Sequence, residues 1–353
     1  MNMQNTGQAV LVTGGSGYLA SHIIQQLLEN GHIVHTTVRN KGKTEKYEHL
    51  LQLADQAAGE LKIFEADLLI PGSFADAMKG CTHVFHTASP FTIGKVKDPQ
   101  KMLIEPAVQG TRNVLETVSD TGSVERVVLT SSIVAIMGDA ADARNIPGGV
   151  FTEEHWNTSS NLEHQPYAYS KTLAEKEAWK IAGEQSRWSL VVMNPGFILG
   201  PSLTRRDDST SIGFMVSMGN GTYKTGAPEG FLAVVDVRDV AAAHISGAFR
   251  KEASGRHILA SETLSFIEMG RILGKHFPAY PIPKRKVPKW FFMLVGPMFG
   301  LSRKYIRRNI GIPLMVDNTY GIKDLGIKYR PVEETLTDQF NQLVNDGLLK
   351  DRR

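Results

Sequence analysis

Cysteine is almost missing from this chain, since Cys81 is the only one among 353 residues. A single cysteine excludes an intrachain disulfide and any zinc cluster built on cysteines, and it is typical of a reducing compartment. The polar first eight residues also lack the basic and apolar pattern of a secretory signal. We therefore expect a cytoplasmic protein with one structural thiol and no metal site.

Long apolar runs are missing as well. The only apolar stretch that suggests a membrane contact is Trp290 to Leu301. It covers about a dozen residues, whereas a membrane-spanning helix needs about 20. We expect an amphipathic helix packed on the protein there, with a membrane-surface or partner-docking helix as the alternative. Stable membrane insertion is not expected.

A large excess of charge of one sign is also absent. The 39 Lys and Arg residues against 36 Asp and Glu give a formal net charge of +3, so a nucleic-acid partner is not expected. The basic residues are scattered except near Lys284 to Lys289 and Arg303 to Arg308. The length exceeds a typical single core, which indicates one large domain with an added lobe or two joined domains.

Apolar runs rich in β-branched residues alternate with helical patterns along the first two thirds of the chain. The predicted strands are Ala9 to Thr13, Ile33 to Val38, Leu61 to Glu65, His83 to Thr87, Arg126 to Ser131 and Ser189 to Asn194. The predicted helices are Tyr18 to Glu29, Pro99 to Val118 and Tyr167 to Ala182. This alternation predicts an α/β fold, a Rossmann-type doubly wound parallel sheet that binds ligands beyond the carboxyl ends of its strands.

A Gly-rich turn follows the first predicted strand and opens the first helix. It brings backbone N–H groups to a helix N-terminus, where unpaired donors and the helix dipole favour a pyrophosphate. A structural turn explains such a segment equally well in isolation, but its place in the first βαβ unit favours a dinucleotide. The residues expected to contact the cofactor here are Gly14, Ser16, Gly17, Tyr18 and Leu19.

The second predicted strand is followed by Arg39, where a carboxylate would bind the ribose hydroxyls of NAD. A guanidinium cannot accept those hydrogen bonds, but its planar fork suits a 2′-phosphate, with Lys43 or Lys46 near enough to assist. We therefore expect NADP(H) as the cofactor. A solvated surface arginine is the alternative.

Other cofactor contacts are expected beyond the ends of the later strands. Asp67 is placed to accept a hydrogen bond from the adenine amino group, with Leu68 packing the ring, although a helix cap explains Asp67 equally well. We interpret His86 as a packed histidine rather than a base. The remaining expected contacts are Thr87, Ala88, Ser89, Pro195 and Ile198.

Tyr167 and Lys171 are four residues apart on a predicted helix, so they share one face. An ammonium about 4 Å from a phenol stabilises the phenolate by up to roughly 4 kcal/mol, about three pKa units, which turns a weak acid into a useful one. Lys171 can also hold the ribose of the nicotinamide. Ser132 ends the fifth strand and is expected to donate a hydrogen bond to a substrate oxygen, with Ser131 as the alternative.

With these motifs the chain resembles the extended short-chain dehydrogenases/reductases, in particular the dihydroflavonol reductase-like group with its microbial carbonyl and aldehyde reductases. The likeness rests on Val12 to Ser21, on YAYSKTLAEKEAW from Tyr167 to Trp179 and on Asn194-Pro195-Gly196 to Pro201, and it extends over nearly the whole chain. The resemblance implies NADPH-dependent reduction with a catalytic triad of Ser132, Tyr167 and Lys171. It also makes dimerisation through the two long helices plausible, so the chain is expected to be a monomer or a homodimer.

Two departures from the family pattern bear on the substrate and on the proton path. The NWYCYGK segment of cinnamoyl-CoA reductases is absent, which disfavours a CoA thioester. The Asn of the catalytic tetrad of many related enzymes is replaced near Ala107. We expect a small-molecule carbonyl substrate, bulky, aromatic or dihydroflavonol-like; a sugar-nucleotide epimerase or dehydratase and a noncatalytic NADPH sensor are the alternatives.

The pattern loosens after Pro195, and prolines break the helical pieces that follow. We expect residues 1–194 to form the NADP-binding domain, with sheet segments returning at about 232–262. Residues 195–231 and 263–353 are expected to form a smaller substrate-binding lobe. Phe91, Phe197 and Phe214 indicate an apolar pocket, although core packing explains them equally well.

Overall fold

The computed structural model describes residues 9–89, 97–207 and 209–352 of the chain. The strands are β1 (Ala9–Val12), β2 (Ile33–Val38), β3 (Glu60–Glu65), β4 (Cys81–His86), β5 (Arg126–Thr130), β6 (Ser189–Pro195), β7 (Phe197–Leu199), β8 (Phe231–Asp236), β9 (Gly255–Leu259) and β10 (Glu262–Ser265). Across these ranges no helix is both long and apolar enough to cross a membrane.

Helices connect and cover the strands. The α-helices are α1 (Tyr18–Glu29), α2 (Glu48–Gln56), α3 (Ala75–Met78), α4 (Glu105–Asp120), α5 (Pro166–Gly183), α6 (Thr210–Gly219), α7 (Val237–Phe249), α8 (Phe266–His276), α9 (Lys289–Val295), α10 (Arg303–Asn309), α11 (Thr319–Leu325) and α12 (Val332–Asn345). A π-helix spans Gln100–Ile104, and 3₁₀ turns span Thr44–Lys46, Ile133–Ala135, Ala140–Asn145, Pro147–Gly149 and Gly296–Phe299.

A seven-stranded parallel sheet forms the centre of the fold, in the order β3-β2-β1-β4-β5-β6-β9. β1 pairs with β2 on one side and β4 on the other, so the strand order reverses beside it. In open parallel sheets the crevice beyond the carboxyl ends at this reversal is the usual ligand site. The predicted Rossmann-type α/β fold is therefore confirmed.

Helices cover both faces of this sheet, because successive residues of each strand point to opposite sides. Val10 and Val12 belong to a core that α1 and α7 complete. Leu11 belongs to a second core on the other face, with α3 and α4. Burial on both faces explains why the strands are continuous apolar runs in the sequence.

The predicted strands agree with β1 to β6 within two residues at each end. The helix predicted from Pro99 to Val118 differs at its start, because the α-helix begins only at Glu105 after the π-helical segment. Pro106 explains this boundary: proline has no N–H to donate and is tolerated only in the first turn of an α-helix.

A smaller sheet in the order β10-β8-β7 lies beside the main one. The sequence pattern predicts that residues 232–262 return to the main sheet. In the structure, β9 pairs with β6 of the main sheet, whereas β8 and the start of β10 lie in the smaller sheet. The chain leaves the main sheet at Gly196, between β6 and β7. α6, α8 and α12 pack against the smaller sheet through a third core.

Close packing requires glycine at position 196, between β6 and β7. A Cβ at this position would lie 2.2 Å from the carbonyl oxygen of Ala233. We expect Gly196→Ala to lower the free energy of unfolding by about 1 to 3 kcal/mol, measured by urea denaturation. The matched control is Gly213→Ala in α6, where a Cβ meets open space and a gain of about 0.5 to 1 kcal/mol is expected. Equal effects of the two substitutions would contradict the packing argument.

Candidate active site

The Gly-rich turn lies against the loop that follows β4. Gly14 has φ +71°, and a Cβ there would lie only 3.1 Å from Cβ of Ala88, so glycine is needed for both conformation and space. Gly17 is the N-cap of α1, and no described side chain caps this helix. The first N–H groups of α1 are therefore left for a ligand, which fits a pyrophosphate.

The side chains of the turn are less available than its backbone. Leu19 is buried in the core, and the Tyr18 hydroxyl donates to the carbonyl oxygen of Gly200 at 2.6 Å. The backbone N–H groups are therefore what Tyr18 and Leu19 can offer to a phosphate.

Arg206 adds a cation to this turn that the sequence patterns did not reveal. Its Nη1 donates to the carbonyl oxygen of Ser16 at 3.4 Å. The two residues are 190 positions apart in the chain, and no motif connects them. The guanidinium increases the positive charge beside the helix N-terminus, which favours an anion.

The region beyond β2 and β3 carries the residues expected at the adenosine end. Arg39 and Lys43 are exposed, and Arg39 has no hydrogen-bond or ion-pair partner within the described part of the chain. Asp67 Oδ1 accepts from the N–H of Leu69 at 2.8 Å, which closes a local turn rather than capping a helix, since α3 begins only at Ala75; the second oxygen is left for a donor. Leu68 packs over Gly110 of α4.

Thr13 fixes the loop beyond β4 against the turn. Its Oγ1 accepts from the N–H groups of Thr87 and Ala88 at 3.1 and 3.0 Å, and it lies 3.0 Å from Nδ1 of His86. Burial lowers the pKa of His86 to about 3, helped by the Lys171 charge, so the ring is neutral and packs as expected. Pro195 is buried at the end of β6, and Ile198 is half-buried in β7.

Helix α5 carries Tyr167 and Lys171 one turn apart. Tyr167 is 46% exposed, and Lys171 Nζ donates to Ser89 Oγ at 3.1 Å. This hydrogen bond links the helix to the loop that packs on Gly14. Lys171 and the Gly-rich turn therefore meet at one edge of the sheet, and Tyr167 lies one turn before Lys171 on the same helix.

The titration of this pair differs from the expectation drawn from its spacing. Loss of hydration against the surrounding protein raises the pKa of Tyr167 above 10, although one side of the ring is open. The Lys171 ammonium is directed to Ser89 and does not offset this effect. Burial also lowers the pKa of Lys171 to about 8, while the charge of Glu175 opposes this shift. At neutral pH the phenol therefore keeps its proton and the ammonium its charge.

Ser131 and Ser132 lie in different surroundings. Ser131 is buried, its N–H donates to Met193 at 2.8 Å in continuation of the sheet, and its hydroxyl donates to the Glu175 carboxylate. Ser132 is half-buried, and its Oγ only accepts a long hydrogen bond from Val134 N–H at 3.4 Å. The hydroxyl of Ser132 is therefore the one free to donate to a ligand.

Glu175 is the centre of a buried network on α5. Its carboxylate accepts from Ser131, from Asn194 Nδ2 at 2.7 Å and from Arg256 Nε at 2.5 Å. Arg256 stacks on Trp156 at 3.9 Å from the ring centroid. Because Glu175 lies four residues after Lys171, helical spacing could have identified it, but nothing in the sequence connects it with Arg256.

A small cavity of about 20 Å³ lies between Lys171 and Glu175. Ala107 forms part of its wall together with Thr111. The volume accommodates about one water molecule. A short, non-polar side chain at this position thus leaves polar space beside the lysine.

A second buried carboxylate fixes the start of α5. Asp139 accepts from Gln165 Nε2 at 2.8 Å, from Asn309 Nδ2 at 2.6 Å and from Arg308, and it lies 3.0 Å from His164 Nε2. Burial alone would raise its pKa, but these hydrogen bonds lower it on balance. Gln165 itself adopts a left-handed φ of +56°, so local strain at the helix start is held by this carboxylate.

The aromatic residues expected near the substrate pack mainly with each other. The rings of Phe197 and Phe214 are 5.4 Å apart, and Phe214 contacts Phe266 at 5.0 Å. Both belong to the periphery of the third core. Phe91 lies outside the described residues.

Comparison with known proteins places this geometry among reductases. Residues 10–258 match the model of the NAD dependent epimerase/dehydratase family. The chain is 35% identical over 346 residues to cinnamoyl-CoA reductase CAD2 of Medicago truncatula, covering 97% of this chain and 98% of the relative. It is 38% identical over 284 residues to an anthocyanidin reductase of Vitis vinifera, covering 77% of this chain and 82% of the relative.

A solved structure with the same architecture is that of the yeast methylglyoxal/isovaleraldehyde reductase Gre2 complexed with NADPH. The TM-score is 0.78 at 27% sequence identity, over 96% of this chain and 98% of the yeast chain. The likeness thus includes both the main sheet and the smaller lobe.

Proposed function

Because the chain belongs to the NAD dependent epimerase/dehydratase family, we propose that it reduces an aldehyde or ketone with NADPH, using Tyr167 as the proton donor. It is an NAD(P)-dependent oxidoreductase of the extended short-chain dehydrogenase/reductase type. The observation that carries the proposal is the Lys171–Ser89 hydrogen bond, which joins the Tyr/Lys helix to the loop packed on the Gly-rich turn. Its small-molecule partner is then a carbonyl compound.

NADP(H) is the cofactor that the site fits. The backbone of Gly14 to Leu19 and the guanidinium of Arg206 would hold the pyrophosphate. Arg39 and Lys43 would hold the 2′-phosphate, with Asp67 and Leu68 at the adenine. Ser89 and Lys171 would hold the nicotinamide ribose, and Pro195 and Ile198 would border the ring.

Two side chains act on the substrate carbonyl, and a third acts on Tyr167. Ser132 donates a hydrogen bond that polarises the carbonyl oxygen, and Tyr167 gives its proton to the same oxygen. NADPH supplies the hydride that forms the new C–H bond. Lys171, one turn along α5, would have to turn from Ser89 to supply positive charge to the phenolate left on Tyr167.

We assign the donor role to Ser132 rather than Ser131 because of their hydrogen bonds. The Ser131 hydroxyl would have to leave a buried carboxylate to reach a substrate. Breaking such a bond leaves an underpaired buried charge, which is costly.

The proposed substrate is a bulky or aromatic free carbonyl compound. The segment around Tyr167 lacks the sequence typical of cinnamoyl-CoA reductases, even though relatives with that name are about one third identical to this chain. A panel of free carbonyls with cinnamoyl-CoA beside them separates the two substrate classes.

Removing the phenol tests the proposed function. We expect Tyr167→Phe to lower kcat/KM for carbonyl reduction by roughly 100- to 10,000-fold, because the general acid is lost, while the Kd for NADPH stays unchanged. The assay follows NADPH consumption with aromatic, aliphatic and β-keto carbonyls. Tyr169→Phe, two residues along the same helix, is the matched control and should keep wild-type activity. Turnover that survives in Tyr167→Phe would remove this residue as the acid, and no turnover of any carbonyl by the wild type would favour the sensor.

Arg39 tests the choice between the two nicotinamide cofactors. A charge-assisted hydrogen bond contributes about 1.5 to 3 kcal/mol, so Arg39→Ala should weaken NADPH binding by roughly 10- to 150-fold and leave NADH binding unchanged. Isothermal titration calorimetry gives both Kd values. Arg271→Ala, an exposed arginine of α8, is the control. Equal NADPH affinity in wild type and Arg39→Ala would refute the assignment.

The charge of Lys171 sets the expected pH dependence. Its ammonium is present below about pH 8 and is lost above it, so kcat/KM should fall as the pH rises through about 8. Glu175 raises this pKa, so Glu175→Gln should lower it and move the decline to lower pH.

Glu177→Gln is the matched control, because this glutamate is on the same helix but pairs with Arg112 at 2.8 Å. A purely structural role of Glu175 would lower activity at every pH without moving the decline. If kcat/KM declined at the same pH in Glu175→Gln and Glu177→Gln, the electrostatic role of Glu175 would be contradicted.

A further inference from the structure

The charges of this chain are strongly segregated. Between Met269 and Val316 lie ten of its 39 Lys and Arg residues and none of its 36 Asp and Glu residues. This segment therefore carries +10, and the rest of the chain carries −7, within a total of only +3. Three of these ten cations pair with acidic residues from outside the segment, Lys275 with Glu333, Lys286 with Glu229 and Arg308 with Asp139, so the unpaired positive charge is smaller than +10.

The middle of this basic segment exposes an apolar face. Trp290 and Leu294 of α9 are 66% and 64% exposed, Phe291 is 43% exposed, and Met298 in the following 3₁₀ turn is 85% exposed. Their spacing of three or four residues places them along one side of the helical segment. The sequence pattern favoured an amphipathic helix packed on the protein; the structure instead leaves this apolar side in solvent.

Basic side chains border this face. α9 packs against α10, and Lys289 Nζ donates to the carbonyl oxygen of Arg307 at 2.9 Å. Arg303, Lys304 and Arg307 of α10 are exposed, and no ion pair neutralises them within the described part of the chain. Lys284 and Arg285 precede α9 and are exposed as well.

α10 has a second side that anchors this surface to the fold. Ile306 is fully buried, and a Cβ at Gly296 would lie 2.4 Å from its Cδ1. Arg308 and Asn309 bind the buried Asp139. The exposed apolar and basic groups are therefore held on a fixed platform rather than on a loose loop.

We propose that α9, the 3₁₀ turn after it and α10 form a docking face for a membrane surface rich in anionic phospholipids. Exposed Trp, Phe and Leu side chains on a helix bordered by Lys and Arg are the features of an interfacial helix, with the apolar side at the acyl boundary and the cations at the headgroups. A second copy of the chain is a poor occupant, because a symmetric contact would bring the exposed Arg303, Lys304 and Arg307 of both copies together.

Vesicle co-sedimentation of the full chain tests this proposal. The wild type should bind vesicles of phosphatidylcholine with about one third phosphatidylglycerol, bind pure phosphatidylcholine weakly, and dissociate at high salt. The triple variant Arg303→Gln, Lys304→Gln, Arg307→Gln should lower the partition coefficient roughly 100-fold. The triple variant Lys180→Gln, Lys251→Gln, Lys328→Gln removes the same charge from other exposed positions and should bind like the wild type. Thermal melting shows that both variants fold.

Trp290 provides an independent signal. Its emission should shift to shorter wavelength on anionic vesicles and be quenched by brominated acyl chains, and Trp290→Phe should abolish both changes while most binding remains. The other three tryptophans are half-buried or buried and serve as an internal reference.

Four results would overturn the proposal: no binding to anionic vesicles, equal binding to neutral ones, equal loss in the two triple variants, or an unchanged Trp290 spectrum. A dimer that dissociates in Leu294→Gln would assign the face to a second copy instead. Retention on an acidic polymer without vesicle binding would assign it to an acidic macromolecule. NADPH binding is measured in parallel and should be the same in all these variants.

Discussion

The buried carboxylate of Glu175 is the interaction on which the candidate site depends. It lies on α5, one turn after Lys171, and it binds Ser131 just after β5, Asn194 near the end of β6 and Arg256 near the start of β9. A buried charge is tolerated only when hydrogen bonds replace its lost hydration. The need to pair this charge therefore fixes α5, which carries Tyr167 and Lys171, against these three strands.

Asp139 is a second buried carboxylate that fixes α5, at its amino-terminal end. It connects the loop after β5, the start of α5 and α10 of the smaller lobe. Tyr167 and Lys171 thus lie between two buried carboxylates, one before and one after them. Apolar packing builds the two layers around the sheet, but directional polar bonds orient the reacting groups, which require finer positioning than hydrophobic contact provides.

Local patterns in the sequence were sufficient for the central sheet and for the spacing of Tyr167 and Lys171. Strand period, glycine at a turn and helical i, i+4 spacing act over short distances along the chain, so they can be recognised without a structure. Arg206, Arg256 and Asp139 could not be found this way, because their partners are distant in sequence and their residue types are common on surfaces. The choice between Ser131 and Ser132 also needed the register of β5 against β6, which decides which hydroxyl is turned inward. The raised pKa of Tyr167 depends on loss of hydration against neighbouring groups, which spacing alone does not give.

The proposed docking face and the candidate active site share α10. Arg308 and Asn309 point to Asp139, while Arg303, Lys304 and Arg307 face solvent. A ligand at the outer face changes the site only if it favours a second arrangement of the Asp139 hydrogen bonds. These bonds are buried and several in number, so such a rearrangement would leave a charge unpaired. Docking is therefore expected to orient the crevice relative to a surface, bringing it near carbonyl compounds that partition into lipid, rather than to switch the chemistry on and off.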